Sequence, residues 1–307
     1  MAVSDPPVPA STNADHPIAA AGWILLAMLC FCLMAVSGRE AGHFMSTADL
    51  LVWRSVVGAG IVITCLFFSP AGFGQLKTKR AGMHLVRNIG HFFGQYCWYT
   101  AVLLVPLAQL FAFEFTTPIW VALLAPFVLG ERFTLARACA IGIGFIGILV
   151  VVRPGAEPIT EGTIWAFFCA FGFTLAVIGT KRLARTETTL CILFYLTVMQ
   201  APMGMIISGG LPVIPQTPMI WFWTLALAFA GLGAHFCMTQ AFKLADATLI
   251  APLDFFRLPL ITVVGILFYN EAFDIAVLIG GLLIFSGNFI NLRVEQKRHA
   301  NRRYAKN

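Results

Sequence analysis

Charged residues are scarce in this chain of 307 residues. Asp, Glu, Lys and Arg together make up 11% of it, whereas hydrophobic residues make up 59% and the mean hydropathy is +0.84. About a quarter of the residues in soluble domains are charged, so the composition excludes an ordinary soluble domain. The sequence predicts an all-α integral membrane protein.

Motifs of enzymatic or metal chemistry are also missing. The chain has no HExxH, no GxSxG and no Walker sequence, which excludes the commonest intramembrane proteases, serine hydrolases and ATP-driven pumps. Its eight cysteines form no CxxC pair and no His/Cys cluster at metal spacing, so we interpret them as packing residues. We expect no catalytic activity, no metal and no cofactor.

One GxGxxG pattern does occur, formed by Gly142, Gly144 and Gly147. In dinucleotide-binding proteins this pattern follows a strand and opens a helix, but here it lies inside an apolar segment. The pattern therefore predicts close helix packing through small residues.

Basic residues exceed acidic ones by a net charge of +6, and most of the excess lies in short connections and in the tail after Leu292. This distribution favours a topology signal over nucleic-acid binding. Residues 1–17 are polar, rich in proline and free of Lys and Arg, which predicts a disordered tail and not a signal peptide.

Apolar segments of membrane-spanning length follow the tail. Since a span needs roughly 17 to 25 residues, the sequence predicts ten of them: 18–38, 50–69, 83–105, 107–129, 135–152, 162–180, 190–209, 219–242, 248–268 and 275–292. The odd-numbered connections hold only Arg39 and Arg153 as basic residues, whereas the even-numbered ones and the C-terminal tail hold most of the others. By the positive-inside rule, both termini are predicted to be cytoplasmic. The expected location is the bacterial inner membrane.

An internal repeat relates the two halves. A shift of 140 residues places Glu131 on Glu271 and Glu114 on Asp254. Each copy would hold five spans, and the odd number inverts the second copy, as in many secondary transporters. The predicted organisation is a disordered tail (1–17), a first five-helix repeat (18–152), a connector (153–161), a second five-helix repeat (162–292) and a basic cytoplasmic tail (293–307).

Two stretches carry a family resemblance: TTPIWVALLAPFVLGERFTLARACAIGIGFIGILVVVRPG, and ADATLIAPLDFFRLPLITVVGILFYNEAFDIAVLIGGLLIFSGNFI in the second half. Each has a proline-bearing span that ends on Gly130-Glu131 or Asn270-Glu271, followed by a glycine-rich span. They resemble the EamA-type transporters of the drug/metabolite transporter superfamily. The resemblance implies alternating access to a cavity between the third, fourth, eighth and ninth helices. The superfamily's substrates include amino acids, S-adenosylmethionine and riboflavin.

Three ionisable residues within the spans are the first candidates for a substrate site. Charges at membrane depth are costly and usually face a cavity or a partner. Glu114 and Asp254 each precede a proline, and are interpreted as a substrate-ammonium or proton site, or as a structural ion pair. Arg257 follows Asp254 by three residues and shares its helical face. It would either neutralise Asp254 or hold a substrate carboxylate or phosphate.

A polar stripe runs along the third span and its counterpart, the eighth. His91, Gln95 and Trp98 share one helical face, and the eighth span offers His235 and Gln240. We interpret the stripe as a cavity wall, with the histidines as proton relays or as interhelical hydrogen bonders. The candidate aromatic walls around a flat or cationic substrate are Trp98, Tyr99, Trp120 and Phe256.

Four further charges are predicted to gate or support the site. Arg54 and Arg87 lie near the ends of their spans, where snorkelling to lipid headgroups is the alternative to a substrate or gating role. Glu131 and Glu271 end the fourth and ninth spans, and would pair with Arg132, Arg137 or other nearby basic groups.

The predicted function is secondary transport of an amino acid or an amino-acid-derived zwitterion. A carrier of a larger solute, of the S-adenosylmethionine or riboflavin type, and a membrane-embedded enzyme or sensor that acts on lipid are the alternatives. The expected partners are a small-molecule substrate, the lipid bilayer and the proton as candidate coupling ion, with no nucleic acid. Oligomeric state and transport direction stay open.

Overall fold

The computed structural model describes residues 17–129, 135–156, 158–245, 250 and 253–304. These residues form eleven α-helices with both ends described, a further helical stretch at residues 253–255, and a short 3-10 helix at Gly72–Leu76. The helices are α1 (Pro17–Gly42), α2 (Thr47–Phe68), α3 (Ala81–Leu104), α4 (Leu107–Glu114), α5 (Thr117–Leu129), α6 (Leu135–Val152), α7 (Glu161–Leu183), α8 (Thr189–Ser208), α9 (Pro218–Leu244), α10 (Arg257–Tyr269) and α11 (Ile275–Tyr304). The prediction of an all-helical membrane protein is confirmed.

Seven helical stretches in the described residues are long and apolar enough to cross a membrane. They are Ile18–Gly42, Thr47–Phe68, Leu107–Leu124, Glu161–Leu183, Thr189–Ser208, Pro218–Ala241 and Ile275–Val294. The other three predicted spans also fall on helices. Of these, α3 carries the polar stripe, Arg137–Val152 in α6 is a shorter apolar helix, and α10 follows a break at Phe256. Ten crossings therefore stay a prediction. The last helix continues through the basic tail as far as Tyr304.

Helix packing repeats between the two halves. The main contacts join α3 to α7, α1 to α9, α2 to α8 and α6 to α11. In the sequence repeat α1 corresponds to α7 and α3 to α9, so the first two contacts are images of each other. The other two contacts each join a helix to its own counterpart. This pattern is what a twofold pseudo-symmetric arrangement of two five-helix repeats produces.

Glycines show the same repetition at close range where α6 packs on α11. A Cβ atom on Gly147 would lie 2.6 Å from the carbonyl oxygen of Gly280, and one on Gly287 would lie 2.5 Å from that of Ala140. The 140-residue shift converts the first contact into the second. Packing is thus confirmed as the role of Gly147 in the GxGxxG pattern, and Gly144 packs against Ile119. For Gly142 the prediction is wrong, because a Cβ there would meet nothing within 4 Å.

The fourth span is broken between α4 and α5, beside Glu114. Pro118 has no N–H to offer the carbonyl of Glu114, and the hydroxyl of Thr117 donates to this carbonyl instead at 2.7 Å. The next carbonyl, that of Phe115, accepts a hydrogen bond of 2.8 Å from Asn288 Nδ2 on α11. Side chains therefore satisfy the backbone groups that the break frees, as a membrane requires.

The ninth span is interrupted in the same way. Residues 253–255 are helical, Phe256 lies in a turn, and α10 begins at Arg257. At the other end of α10, Asn270 adopts a left-handed conformation, with φ of 51° and ψ of 32°. Asparagine tolerates this region better than most residues with a side chain. This conformation explains how Asn270 replaces the glycine that the family pattern has here.

Candidate functional site

Arg257 forms the centre of the candidate site. Its guanidinium group lies 3.1 Å from Glu114 of α4 and 3.5 Å from Asp254, in the helical stretch that precedes the turn at Phe256. The two acids come from corresponding positions of the two repeats and contact the same cation. Arg257 is only 4% exposed. We call these three residues the charge triad.

Aromatic rings surround the cation of the triad. The guanidinium carbon of Arg257 lies 4.3 Å from the ring centre of Phe31, 4.8 Å from that of Phe115 and 5.2 Å from that of Phe111. These distances fall within the range of cation–π attraction. The site thus has the chemistry to hold a cation, with carboxylates for its charge and ring faces around it.

Trp98 connects this site to the polar stripe of α3. Its indole N–H donates a 2.8 Å hydrogen bond to Glu114 Oε2, and its ring packs edge-on against Tyr99 at 4.9 Å. The structure thereby brings Trp98 to the acids, as the sequence interpretation required. A second carboxylate oxygen of Glu114 is left for Arg257.

The other α3 residues of the polar stripe precede Trp98 and lie closer to the start of the helix. His91 is buried, and its Nδ1 lies 3.0 Å from Gln200 Nε2 on α8, so it makes an interhelical hydrogen bond. Gln95 is also buried, and its Oε1 has no hydrogen-bond partner. On α9, His235 is exposed and its ring meets Phe31 edge-on at 5.9 Å. Phe31 thus lies between His235 and the charge triad.

Arg54 and Arg87 do not reach the lipid headgroups. They are only 6% and 7% exposed, which overturns the snorkelling interpretation for both. Arg87 donates to Thr180 Oγ1 at 3.1 Å and to Asn88 Oδ1 at 2.8 Å. Arg54 faces α9, where a Cβ on Gly231 would lie 3.2 Å from its Nε.

Other predicted residues make their contacts outside the charge triad. Trp120 donates to Thr116 Oγ1 at 3.2 Å and packs on Phe171 at 4.2 Å, between α5 and α7. Phe256 is 61% exposed, and its neighbour Phe255 packs on Phe115 instead. A wall role for Trp120 and Phe256 therefore stays a prediction, since neither ring is among those that face the guanidinium group of Arg257. Gln240 is half-buried on α9.

Glu271 pairs with a residue that the sequence analysis did not name as its partner. Its carboxylate forms an ion pair with Arg39, at the end of α1, and accepts the backbone N–H of Leu107, at the start of α4, with both oxygens (3.1 and 3.0 Å). Arg39 also donates to the carbonyls of Val102 and Val105 at 2.7 Å each. We call Arg39, Leu107 and Glu271 the latch, because it ties α1, α3 and α4 to the end of α10.

One signal in the sequence did single out Arg39. It and Arg153 are the only basic residues in the odd-numbered connections, and the structure pairs both with acids of the α10–α11 connection, Glu271 and Asp274. A cavity of about 230 Å³ lies next to these pairs and is lined in part by Gln109 and Thr262. Glu131 and Arg132 lie outside the described residues, and Arg137 is buried in α6.

A separate polar cluster lies near the starts of α3 and α8, at the end of the helix bundle opposite to the latch. His84, Glu187 and Cys191 place possible metal-ligating atoms within 4.8 Å of one another, although their sequence spacing gave no sign of it. Glu187 accepts hydrogen bonds from the Cys191 thiol at 3.4 Å and from Thr78 at 2.7 Å. These bonds tie the α7–α8 connection to the segment before α3.

Comparison with known proteins gives consistent full-length matches. The sequence profile of the EamA-like transporter family matches residues 18–153 and 160–293. An S-adenosylmethionine uptake transporter of Rickettsia felis is 24% identical over 90% of this chain and 93% of its own length. A riboflavin transporter of Rhizobium johnstonii is 28% identical (92% and 94%), and a pseudopaline exporter of Pseudomonas aeruginosa is 26% identical (85% and 91%).

A solved structure shares the fold. The crystal structure of another protein superposes on this chain with a TM-score of 0.61 and a sequence identity of 18%. The match covers 91% of this chain and 98% of the other chain. This match supports the helical arrangement alone. The two profile matches cover the predicted repeats one after the other, and the chain belongs to the EamA-like transporter family.

Proposed function

We propose that this protein is a secondary transporter for an organic solute of cofactor size that combines a cationic centre with a flat ring, of the S-adenosylmethionine type. The charge triad is the observation that carries the proposal. Two carboxylates share a single guanidinium there, so one negative charge is left unbalanced when both acids are ionised. A cationic group of the solute would complete this balance.

The rings of the site favour the same class of solute. Phe31, Phe111 and Phe115 face the guanidinium group of Arg257, and a sulfonium or ammonium group that approached the carboxylates would meet the same ring faces. Trp98 adds an aromatic surface, held in place by its bond to Glu114. A flat heterocycle would stack there.

The relatives favour a larger solute than the amino acid first predicted. The three relatives named above are transporters of S-adenosylmethionine, riboflavin and pseudopaline, and none is named as an amino-acid transporter. We therefore propose the larger, cofactor-like solute in place of an amino acid. The S-adenosylmethionine type suits the triad better than the riboflavin type, because riboflavin has no cationic centre for the unbalanced carboxylate.

Alternating access would use the two repeats as opposed gates. With both termini cytoplasmic, the latch lies on the outer side of the inner membrane, and its bonds close that side above the triad. Opening the latch would expose Glu114 from the outside. The proton is the proposed coupling ion, and the direction of net transport is left to the experiment.

Counterflow in proteoliposomes tests the proposal. Vesicles are loaded with unlabelled S-adenosylmethionine, riboflavin or methionine, and uptake of the labelled solute is followed with and without a proton gradient. We expect counterflow of S-adenosylmethionine, and little of methionine. Glu114→Gln should reduce it, whereas Glu161→Gln, on the exposed start of α7, serves as the matched control.

Three results would overturn the proposal. Exchange of methionine alone would restore the amino-acid substrate, and exchange of riboflavin alone would remove the need for a cation. Conversion of vesicle lipid without any solute exchange would support an enzyme instead.

A further inference from the structure

Arg54 carries a buried positive charge that no described residue neutralises. Arg54 is only 6% exposed, and its Nε has no hydrogen-bond partner. Among the residues that the structure describes, no carboxylate pairs with it. Guanidinium groups stay charged in proteins, and an unpaired charge in a protein interior is costly. A missing counter-ion is the direct explanation.

Arg87 adds a second cation to the same region. Its two hydrogen bonds go to neutral groups, Thr180 and Asn88, and within the described ranges it also pairs with no acid. His91 lies one helical turn from Arg87 on α3, and the charges of Arg54 and Arg87 are near enough to repel each other. Two positive charges therefore lie close to α2, α3 and α9, and no carboxylate among the described residues pairs with either of them.

Neutral groups of this region are also left without partners. Tyr99 lies beside Arg54, but no hydrogen bond of good geometry joins them, and the Tyr99 hydroxyl and the buried Gln95 Oε1 are left without partners. Buried polar groups are nearly always hydrogen-bonded. A ligand oxygen between Arg54 and Tyr99 would bond to both side chains at once.

We infer that Arg54 and the Tyr99 hydroxyl form an oxyanion subsite that holds a carboxylate or phosphate of the transported solute, and that the charge of Arg87 strengthens the attraction. Arg257 does not serve this role, because its guanidinium already faces Glu114 and Asp254. Trp98 and Tyr99 are adjacent and in ring contact. Trp98 bonds to the triad, and Tyr99 faces Arg54, so the cation site and the oxyanion subsite lie on either side of this aromatic pair.

This inference rests on the proposed function for its natural ligand, but its first test is independent of the substrate. The melting temperature of the purified protein is measured with phosphate, sulfate and acetate against chloride at constant ionic strength. A ligand that binds the folded state raises this temperature. We expect stabilisation by the oxyanions, its loss in Arg54→Gln, its reduction in Arg87→Gln, and its retention in Arg293→Gln, which removes an exposed arginine.

A fold defect is distinguished by the protein without ligand. Removing an unpaired buried charge relieves its desolvation cost, so Arg54→Met should raise the melting temperature in chloride while abolishing the oxyanion response. A structural arginine would give the opposite sign. A lowered melting temperature for Arg54→Met, or equal stabilisation of the wild type by chloride and oxyanions, would overturn the subsite.

Matched solutes then test the subsite in binding. S-adenosylmethionine is compared with its decarboxylated form, which lacks only the carboxylate. We expect the wild type to bind the acid at least tenfold more tightly, since a hydrogen bond to a charged group contributes about that factor, and Arg54→Gln to abolish the preference. Equal binding of both forms by the wild type would overturn the inference while leaving the proposed substrate intact. If neither form binds but oxyanions still stabilise the protein, the proposed substrate fails and the subsite stands.

Discussion

At the scale of single residues, the sharing of Arg257 by two acids determines how the site responds to substitution. A buried ion pair is damaged when one partner is removed, because the other charge is left uncompensated. The triad differs from a simple pair. Loss of either carboxylate leaves Arg257 with one acid, and the remaining two charges balance. Loss of Arg257 leaves two carboxylates near each other without a cation.

Glu114→Gln and Asp254→Asn should each impair function without unfolding the protein. We expect counterflow of a cationic solute to fall at least tenfold, which corresponds to about 1.4 kcal/mol, because the unbalanced negative charge disappears. The melting temperature should stay close to that of the wild type. Wild-type counterflow in both variants would show that the carboxylates are structural.

Arg257→Gln should behave in the opposite way. Leaving buried charges without a partner costs about 3 to 5 kcal/mol, so we expect a clearly lower melting temperature and a low yield of folded protein. Thermal unfolding in detergent measures the difference. The double variant Glu114→Gln/Arg257→Gln serves as a control and should recover part of the stability, since only one uncompensated acid is left. Stability of Arg257→Gln equal to that of the wild type would contradict the role of the triad.

At the scale of helices, the breaks in the fourth and ninth spans are what places the acids. Pro118 and Pro259 remove backbone donors from positions that follow Glu114 and Asp254, and neighbouring groups must replace these donors in a membrane. The break beside Glu114 depends on Asn288, which donates from α11 to the carbonyl of Phe115. The site is thus supported by a helix that contributes no charge to the triad.

Asn288→Leu should destabilise this break. The Phe115 carbonyl would lose its donor, and an unsatisfied buried acceptor costs about 1 to 3 kcal/mol. We expect a lower melting temperature and weaker solute binding. Asn291→Leu, three residues further along α11, is the matched control, because the Oδ1 of Asn291 has no partner and its removal should cost little. Similar losses in both variants would show that the effect comes from packing alone.

Hydropathy predicted the helices well, since the apolar segments determine where the chain can cross a bilayer. The observed α3 and α8 begin and end within two residues of the predicted spans. The predicted convergence of Glu114 and Asp254 also rested on a readable signal, the internal repeat. Contacts between distant helices gave no such signal. The positions of Arg54 and Arg87 in the sequence put them near the ends of their predicted spans. Only the packing of α2 on α9 and of α3 on α7 shows that both side chains point inward.

At the scale of the whole molecule, the latch connects one face of the bundle to the charge triad. Glu271 accepts the N–H of Leu107, the first residue of α4, and α4 ends at Glu114. A movement that releases Leu107 would therefore act on the helix that carries a triad carboxylate. Because Arg39 also donates to the carbonyls of Val102, in the last turn of α3, and of Val105, just after it, the latch holds the connection between α3 and α4 as a unit.

Glu271→Gln should favour the state that is open on this face. A neutral amide cannot form the ion pair with Arg39 and accepts the Leu107 N–H with one oxygen, so the closed state loses charge-assisted bonds worth about 1.5 to 3 kcal/mol each. We expect hydrogen exchange at Leu107, Ala108 and Gln109 to accelerate at least tenfold, as measured by mass spectrometry in detergent. Asp274→Asn is the control, since it breaks the neighbouring pair with Arg153 but leaves the latch intact. Unchanged exchange in Glu271→Gln, or equal acceleration in Asp274→Asn, would show that the latch does not hold this face closed. A solute that binds the inward-facing state should slow the exchange in the wild type and less so in Glu271→Gln, which would connect the latch to the transport cycle.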